Sequence, residues 1–257
     1  MKNTNVLKNL YIAHRGLHDI KRGVPENSLS AFAAAVAAGL PIELDLHLLR
    51  DGRIAVFHDD NLRRMTGCDR NIADCTYEDI RTLTLCDTGE HIPLMEEVLS
   101  LVNGRVFLDI ELKTDIPSGQ LEPALCRLLD AYKGGFAVKS FDPFTVNWFR
   151  RHRPHYIRGQ LSGGFGDEEG MSAFTKFIYR HMLLNVFARP DFIAYEWEVL
   201  TRKNAARYKK KNRPLLIWTL RSYAELKDAQ SLGDSFICEG FPFWNVRDDC
   251  AGDDAVL

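Results

Sequence analysis

Short apolar runs rich in Val, Ile and Phe alternate along the chain with segments whose apolar residues have helical spacing. Such alternation is typical of parallel strand–helix units. The apolar runs predict eight strands: Leu10–Ala13, Pro41–Leu46, Val106–Leu112, Phe136–Lys139, Tyr156–Gln160, Phe192–Tyr195, Leu215–Thr219 and Phe236–Cys238. Eight parallel strands favour a closed barrel over an open doubly wound sheet, so the predicted fold is an α/β protein with a (β/α)8 TIM barrel.

Capping residues and apolar spacing predict the helices between these strands. We expect Ser28 or Ser30 to cap a helix over Ala31–Ala38, which Gly39 ends. The other predicted helices are a segment that begins at Pro93 and runs to residue 102, Leu121–Tyr132, Phe144–His152, Thr201–Lys211 and Tyr223–Leu232. Together they supply the connections that a barrel requires between parallel strands.

Two stretches are longer than a minimal barrel needs. Asp51-Gly52 is a strong tight-turn signal, so a ninth short strand, Arg53–Phe57, is predicted to fold back on the second strand as a hairpin. The second stretch, Ser162–Arg189, runs from a glycine-rich loop into an aromatic and aliphatic segment. Both follow strands, so we expect them at the C-terminal face, where barrel enzymes build their sites.

The composition is that of an ordinary globular protein, with 257 residues, 46 % of them hydrophobic, and a net charge of −2. It provides no global positive field that would recruit nucleic acid. No run approaches the roughly 20 apolar residues that span a bilayer, and no signal-peptide stretch precedes the first strand. The cysteines show neither CxxC nor zinc-finger spacing. We therefore expect a reduced, cytoplasmic protein.

Charged residues interrupt two of the predicted strands. Glu43 and Asp45 alternate with apolar residues in the second strand, and Asp109, Glu111 and Lys113 do so along the third. Ionised side chains are costly to bury without a partner. Alternate residues of a strand share one face and lie roughly 6–7 Å apart. We expect three or four carboxylates to converge at the barrel mouth, with only one lysine in reach.

Clustered carboxylates repel one another, so either their pKa values rise or a cation binds among them. Oxygen ligands suit a hard ion such as Mg²⁺ or Ca²⁺, and the lack of paired Cys or clustered His argues against zinc. The alternative is ordinary ion pairing of strand-end acidic residues with Arg and Lys. Because the pattern occurs in two strands and histidines also stand at strand ends, we favour a metal site.

Two histidines directly follow predicted strands: His14 after the first and His58 after the hairpin strand. Two imidazoles around one site can divide proton transfer, one accepting and one donating a proton. Arg15 adds a bidentate partner for a phosphate, and Gly16 lets the backbone approach closely. Either histidine alone is more often a structural residue, and only its combination with the other histidine, Arg15 and the acidic strands is informative.

Several short motifs occur in a fixed order: His14-Arg15-Gly16, Pro25-Glu26-Asn27-Ser28, Glu43-Leu44-Asp45, Asp51-Gly52, His58-Asp59, Glu111-Leu112-Lys113 and Trp218-Thr219. In these motifs and their spacing the chain resembles the glycerophosphodiester phosphodiesterase family. The likeness is dense over residues 11–67, patchy to residue 220 and weak beyond it. It implies a TIM barrel with a small insertion after the second strand, here residues 59–93, within a single catalytic domain over residues 1–257.

The resemblance also implies how the acidic residues and histidines divide the chemistry. Glu43, Asp45 and Glu111 would hold one divalent cation, Mg²⁺ or Ca²⁺. His14 and His58 would be the general acid–base pair.

The remaining implied roles concern the substrate. Arg15 and Lys113 would grip phosphate oxygens, and Trp218 would line the glycerol or alcohol pocket, with a place in the barrel core as its alternative. The chain departs from the family at two positions: Glu239 stands within a run where the family usually has a Thr-Asp-x-Pro ending, and Arg221 stands where it often has Asn. We expect both differences to affect the leaving-group pocket.

The implied activity is metal-dependent hydrolysis of glycerophosphodiesters, such as glycerophosphocholine, to glycerol phosphate and an alcohol. A lysophospholipase D is an alternative, because Ser162–Arg189 offers side chains for an acyl chain and the basic cluster Arg207–Arg213 offers charge for anionic lipid. An ordinary amphipathic barrel helix and a solvated helix terminus are the favoured interpretations of these segments, so membrane contact is not favoured.

Two further alternatives belong to other classes. A sphingomyelinase D-like lyase would use much the same histidines and metal but would release only a cyclic phosphate. A non-catalytic phosphodiester-binding module ranks lower, because none of the histidines or metal carboxylates of the motif is missing.

Overall fold

The computed structural model describes residues 2–113, 119–165, 172–209 and 213–246. Nine strands, β1 to β9, are formed within these ranges: Tyr11–Ala13, Ile42–Leu48, Ile54–Val56, Leu108–Leu112, Phe136–Ser140, Ile157–Ser162, Phe192–Glu196, Leu215–Leu220 and Ser235–Cys238. Eight of them pair in parallel, in the order β1-β9-β8-β7-β6-β5-β4-β2, and β1 also pairs with β2. This closes the sheet, so the predicted α/β TIM barrel is confirmed.

β3 is the one described strand outside the parallel barrel. It runs antiparallel to β2, with Leu46 opposite Val56 and Leu48 opposite Ile54. The turn between them contains Gly52 at φ +82°, a backbone conformation that glycine adopts without a steric penalty. The predicted hairpin is therefore confirmed, and pairing with β3 extends β2 beyond Leu46, where the sequence prediction had ended it.

Ten α-helices, α1 to α10, occur in the described ranges: Leu29–Ala37, Arg63–Thr66, Tyr77–Ile80, Met95–Val102, Leu121–Leu129, Pro143–His152, Ala173–Arg180, Asn185–Ala188, Arg202–Lys209 and Tyr223–Gln230. Ser28 is the N-cap of α1, because its Oγ accepts a hydrogen bond from the Ala31 amide. Ser30 instead lies within the helix. The N-cap of α6 is Asp142, whose carboxylate accepts from the amides of Phe144 and Thr145.

Residues 59–93, between β3 and α4, contain the short helices α2 and α3. They pack on a hydrophobic cluster of their own that includes Leu62, Ile72, Ile80 and Leu85, all at most 1 % exposed. The cluster also takes in Phe57 at the end of the hairpin, which fixes the segment to the barrel. Burial of this kind is the dominant favourable term that holds such a short-helix segment in place.

Parts of two sequence predictions lie outside the described residues. The predicted helix over Thr201–Lys211 is present as α9, and residues 210–212, which belong to the basic cluster Arg207–Arg213, are not described. Residues 166–171 of the Ser162–Arg189 stretch are likewise not described. Among the helices that are described, none has the length and apolar character needed to cross a lipid bilayer.

Candidate active site at the carboxyl ends of the strands

A cavity of about 440 Å³ opens where the parallel strands end. Its wall contains all eight residues for which the sequence predicted a site role: His14, Arg15, Glu43, Asp45, His58, Glu111, Lys113 and Trp218. They come from five regions of the chain, which follow or belong to β1, β2, β3, β4 and β8. A site at this face is the usual arrangement for a (β/α)8 barrel.

Three buried carboxylates form the acidic part of the cavity. One oxygen from each of Glu43, Asp45 and Glu111 lies within 4.8 Å of the others. The cause is strand register, because β2 and β4 are neighbours in which Asp45 pairs with Glu111. The three side chains are buried, and converging buried carboxylates require positive charge.

Two lysines, rather than one, supply positive charge to this group. Lys113 Nζ lies 3.1 Å from Asp45 Oδ1 and 2.5 Å from Glu111 Oε1. Lys139 Nζ lies 3.2 Å from Glu43 Oε1 and 2.7 Å from an oxygen of Asp109. The expectation of only one lysine in reach is therefore wrong. Lys139 ends the predicted strand Phe136–Lys139, and a charged residue inside that apolar run was the signal that could have identified it.

Asp45 remains ionised despite its burial. Burial alone would raise the pKa of the Asp45 carboxyl, but the positive charges of Lys113, His58 and Arg15 and a hydrogen bond from Asn27 hold it well below its usual range. The amide of Asn27 donates to Asp45 Oδ2 over 3.0 Å. A full negative charge is thus kept at the base of the cavity.

Asp109 behaves differently from the three carboxylates, although it belongs to the same strand as Glu111. It is fully buried, and burial raises the pKa of its carboxyl even though Lys139 opposes the shift. Its partner is Lys139. Asp109 therefore lies in the interior of the barrel and is not among the residues that line the cavity.

His14 is held by a carboxylate from the last strand. Its Nδ1 lies 2.5 Å from Glu239 Oε2, and its Nε2 lies 4.0 Å from Glu43 Oε2. Glu239 also accepts a hydrogen bond of 2.8 Å from Arg221 Nε. Burial would raise the pKa of Glu239, but the hydrogen bond from His14, the imidazole of His18 at 3.6 Å and the charge of Arg221 hold it well below its usual range.

This contact involves the two positions at which the chain departs from the family motif that it resembles. Glu239 contacts both His14 and Arg221, and neither Glu239 nor Arg221 is among the residues that line the cavity with Trp218. The expectation that they affect the leaving-group pocket therefore stays a prediction. Glu239 reaches His14 because Ala13 pairs with Cys238 across β1 and β9, and the residue after each of them follows that register.

His58 and Arg15 are connected through one arginine of the insertion. His58 Nδ1 lies 2.7 Å from Asp59 Oδ1, and Arg64 Nε donates to the other oxygen of Asp59 over 2.6 Å. The same guanidinium donates to Glu26 over 2.7 Å, and Glu26 accepts a 2.6 Å hydrogen bond from Arg15. Arg64 thus links two site residues that come from different strands. The sequence analysis did not identify it.

Arg15 lies over the acidic group. Its amide donates to Glu43 Oε2 over 3.2 Å, and its Nε lies 3.4 Å from Asp45 Oδ2. Gly16 follows at φ +83°, and a Cβ on it would lie 2.9 Å from the backbone of Ala31. The close approach made possible by Gly16 is therefore to helix α1, which seats the loop that carries Arg15.

Aromatic rings form the opposite wall of the cavity. Trp218 packs edge-on against Phe141 with centroids 5.7 Å apart, Phe141 packs against Phe165 at 5.7 Å, and Phe165 packs against Tyr179 at 6.0 Å. Tyr179 belongs to α7, so the Ser162–Arg189 stretch reaches the mouth as expected. The sequence analysis did not identify Phe141, and it named Phe165 and Tyr179 only as part of the Ser162–Arg189 stretch, because no local pattern shows that β5, β6 and α7 direct these rings toward one cavity.

The family model of the glycerophosphoryl diester phosphodiesterase family matches residues 14–239 of the chain. A glycerophosphodiester phosphodiesterase of Caldanaerobacter subterraneus is 33 % identical over a match that covers 60 % of this chain and 67 % of that protein. One of Bacillus altitudinis is 42 % identical, covering 40 % and 45 % of the two chains.

A solved structure of an Oleispira antarctica phosphodiesterase in complex with its product sn-glycerol-3-phosphate superposes with a TM-score of 0.80. The match covers 97 % of this chain and 99 % of that one at 19 % identity, which shows a shared fold. The family match extends from the histidine after β1 to the glutamate after β9, and so takes in every strand of the barrel except β1. The chain therefore belongs to the glycerophosphoryl diester phosphodiesterase family and is a phosphoric diester hydrolase.

Proposed function

We propose that this enzyme hydrolyses glycerophosphodiesters to glycerol phosphate and an alcohol, with one divalent cation at Glu43, Asp45 and Glu111 and with His14 and His58 as general acid and base. The observation that carries the proposal is the buried carboxylate group in a cavity whose wall also contains both histidines. Each histidine has its Nδ1 against a carboxylate of its own, Glu239 or Asp59.

The three carboxylates fit a hard divalent ion. Their oxygens converge within 4.8 Å, their side chains are buried, and the ligand set contains only oxygen, which suits Mg²⁺ or Ca²⁺. The ammonium of Lys113 already contacts two of them, Asp45 and Glu111, so positive charge is favourable at that place. A bound cation would supply Lewis acidity toward the phosphoryl oxygens.

The histidines supply proton transfer. With Nδ1 engaged by a carboxylate, the Nε2 atom of each ring is left to exchange a proton with the substrate. One histidine removes a proton from the nucleophile, and the other protonates the departing alkoxide. The nucleophile is either the neighbouring glycerol hydroxyl, which forms a cyclic phosphate that water then opens, or water directly. Family resemblance favours the first route.

Substrate binding uses both sides of the cavity. Arg15 and Lys113 stand over the carboxylates and would grip phosphate oxygens, which a planar guanidinium and an ammonium both bind well. Trp218 and the rings beside it would hold the alcohol. The glycerol phosphate found in the related Oleispira phosphodiesterase supports a glycerophosphodiester as the substrate here.

The same aromatic wall favours a second candidate substrate class, the lysophospholipids. Four rings in contact, from Trp218 to Tyr179, offer an apolar surface that a small polar alcohol does not require. The decisive test is a turnover screen with glycerophosphocholine, glycerophosphoethanolamine and lysophosphatidylcholine, each with and without Mg²⁺ or Ca²⁺. Phosphorus NMR of the products separates glycerol phosphate from cyclic phosphate. Absence of turnover on every glycerophosphodiester would contradict the proposal, and cyclic phosphate as the only final product would identify a lyase.

Glu239 is proposed as a positioning residue for His14. Replacing it by glutamine keeps the side-chain shape but removes the charge that stabilises a protonated imidazole, so Glu239→Gln is expected to lower kcat by about tenfold to a hundredfold with little change in KM. Steady-state kinetics on glycerophosphocholine would measure both constants.

The matched control is Glu198→Gln. Glu198 also contacts Arg221, at 3.2 Å, but the contacts of His14 do not include it. The control is expected to retain wild-type kcat. An equal loss in both variants would show that the effect comes from Arg221, and a loss confined to KM would show that Glu239 acts in binding.

A further inference from the structure

Exposed apolar side chains are concentrated beside the mouth of the active-site cavity. Six of the nine large hydrophobic residues that are exposed in the described ranges belong to α6, α7, α8 and the turn between the last two: Phe144, Phe174, Phe177, Leu183, Val186 and Phe187. We call these six the rim patch. Phe174 is 74 % exposed and Val186 is 81 % exposed, and the rings of Phe144 and Phe187 contact each other. Clustered apolar exposure of this kind marks an interaction surface.

The barrel does not need these side chains for its own packing. On α7, Ile178 faces a small cavity together with Met182, while Tyr179 faces the active site and packs on Phe165. Phe174 and Phe177 are exposed, and the ring of Phe177 contacts that of His181. An ordinary amphipathic barrel helix buries its apolar stripe, whereas α7 leaves part of its apolar surface exposed.

The charge of the segment indicates what could cover the patch. Residues 172–190 contain Lys176, Arg180 and Arg189 and no Asp or Glu, although the whole chain has a net charge of −2. The acidic residues at 167–169 precede the segment and lie outside the described residues. Aromatic and aliphatic side chains beside basic ones are typical of helices that lie in the interface of a lipid bilayer. If two copies of this chain instead met through this patch, the basic residues of one copy would face those of the other, which is unfavourable.

We propose that the rim patch docks the enzyme onto an anionic lipid surface. Docking would set the cavity mouth against that surface, because α7 supplies both the exposed Phe174 and the cavity-lining Tyr179. The enzyme would then meet phosphodiesters at or near the membrane from which they are released. This goes beyond the proposed function, and lipid binding can be measured without any turnover.

The test is sedimentation of the full chain with vesicles of phosphatidylcholine alone and of phosphatidylcholine mixed with phosphatidylglycerol. Wild type is expected to bind the mixed vesicles more tightly, and the binding should weaken as salt is raised. Phe174→Ser is expected to weaken binding by about tenfold, the equivalent of one buried aromatic side chain. Arg180→Gln should weaken binding to the mixed vesicles and leave binding to phosphatidylcholine unchanged.

The matched control for the patch is a pair of valines. Val186→Ser should weaken binding, whereas Val6→Ser, which replaces an exposed valine before β1, should not. All four variants should turn over soluble glycerophosphocholine like wild type. Failure of wild type to bind mixed vesicles, or an equal loss with Val6→Ser, would overturn the proposal. So would a dimer in analytical ultracentrifugation that Phe174→Ser converts to a monomer, since the patch would then join two copies of the chain.

Discussion

His58→Ala and His14→Ala are each expected to lower kcat by about a thousandfold, because general acid–base catalysis by a positioned side chain contributes at this level. Both imidazoles line the cavity, and each is oriented by a carboxylate at 2.7 Å or less. The two losses should not add in the double variant, since a step that needs both a proton donor and a proton acceptor fails when either is missing. Turnover of glycerophosphocholine at saturating cation measures the effect.

Cation binding separates this chemical role from a structural one. The proposed cation ligands are three carboxylates, and neither histidine is one of them. Calorimetric titration with Mg²⁺ or Ca²⁺ should therefore give wild-type cation affinity for both variants. His91→Ala is the control, because His91 is an exposed histidine of the insertion whose ring contacts the carbonyl of Leu83. Near-wild-type turnover in His14→Ala or His58→Ala would show that the assigned role is wrong.

Removal of the divalent cation is expected to abolish activity, and Glu43→Gln should require roughly a hundredfold more cation for half-maximal rate. The glutamine keeps a neutral oxygen ligand but removes one of three charges that converge within 4.8 Å. Excess cation should therefore restore part of the rate. The measurement is activity against Mg²⁺ or Ca²⁺ concentration after dialysis with a chelator.

Asp109→Asn is the control for Glu43→Gln. It tests whether the higher cation requirement follows only from the loss of one of the three clustered carboxylates, or from the loss of any buried carboxylate in the barrel. Asp109 pairs with Lys139 and lies on the same strand as Glu111, yet it is not one of the cavity residues. We expect this variant to lose stability but to need the same cation concentration as wild type. Full activity of wild type after chelation would contradict the metal site itself.

The sequence alone was sufficient for the barrel and for most of the site. Strand–helix alternation depends on local periodicity, and side chains two apart on a strand share a face whatever surrounds them. Glu43, Asp45 and Glu111 were therefore expected to converge, and the pairing of β2 with β4 brings them together. Histidines that directly follow apolar runs were likewise placed at strand ends, where His14 and His58 are found.

Only the tertiary structure decided which residues support that site. His14 meets Glu239 because closing the barrel places β1 beside β9, a contact between residues 225 positions apart that no local pattern contains. Lys139 reaches Glu43 through the β4–β5 pairing, which places Lys139 opposite Glu111. The exposure of Phe174 likewise depends on which side of α7 packs on the barrel. Local sequence fixes the direction of a side chain on its own element, whereas its partners depend on how the elements are packed together.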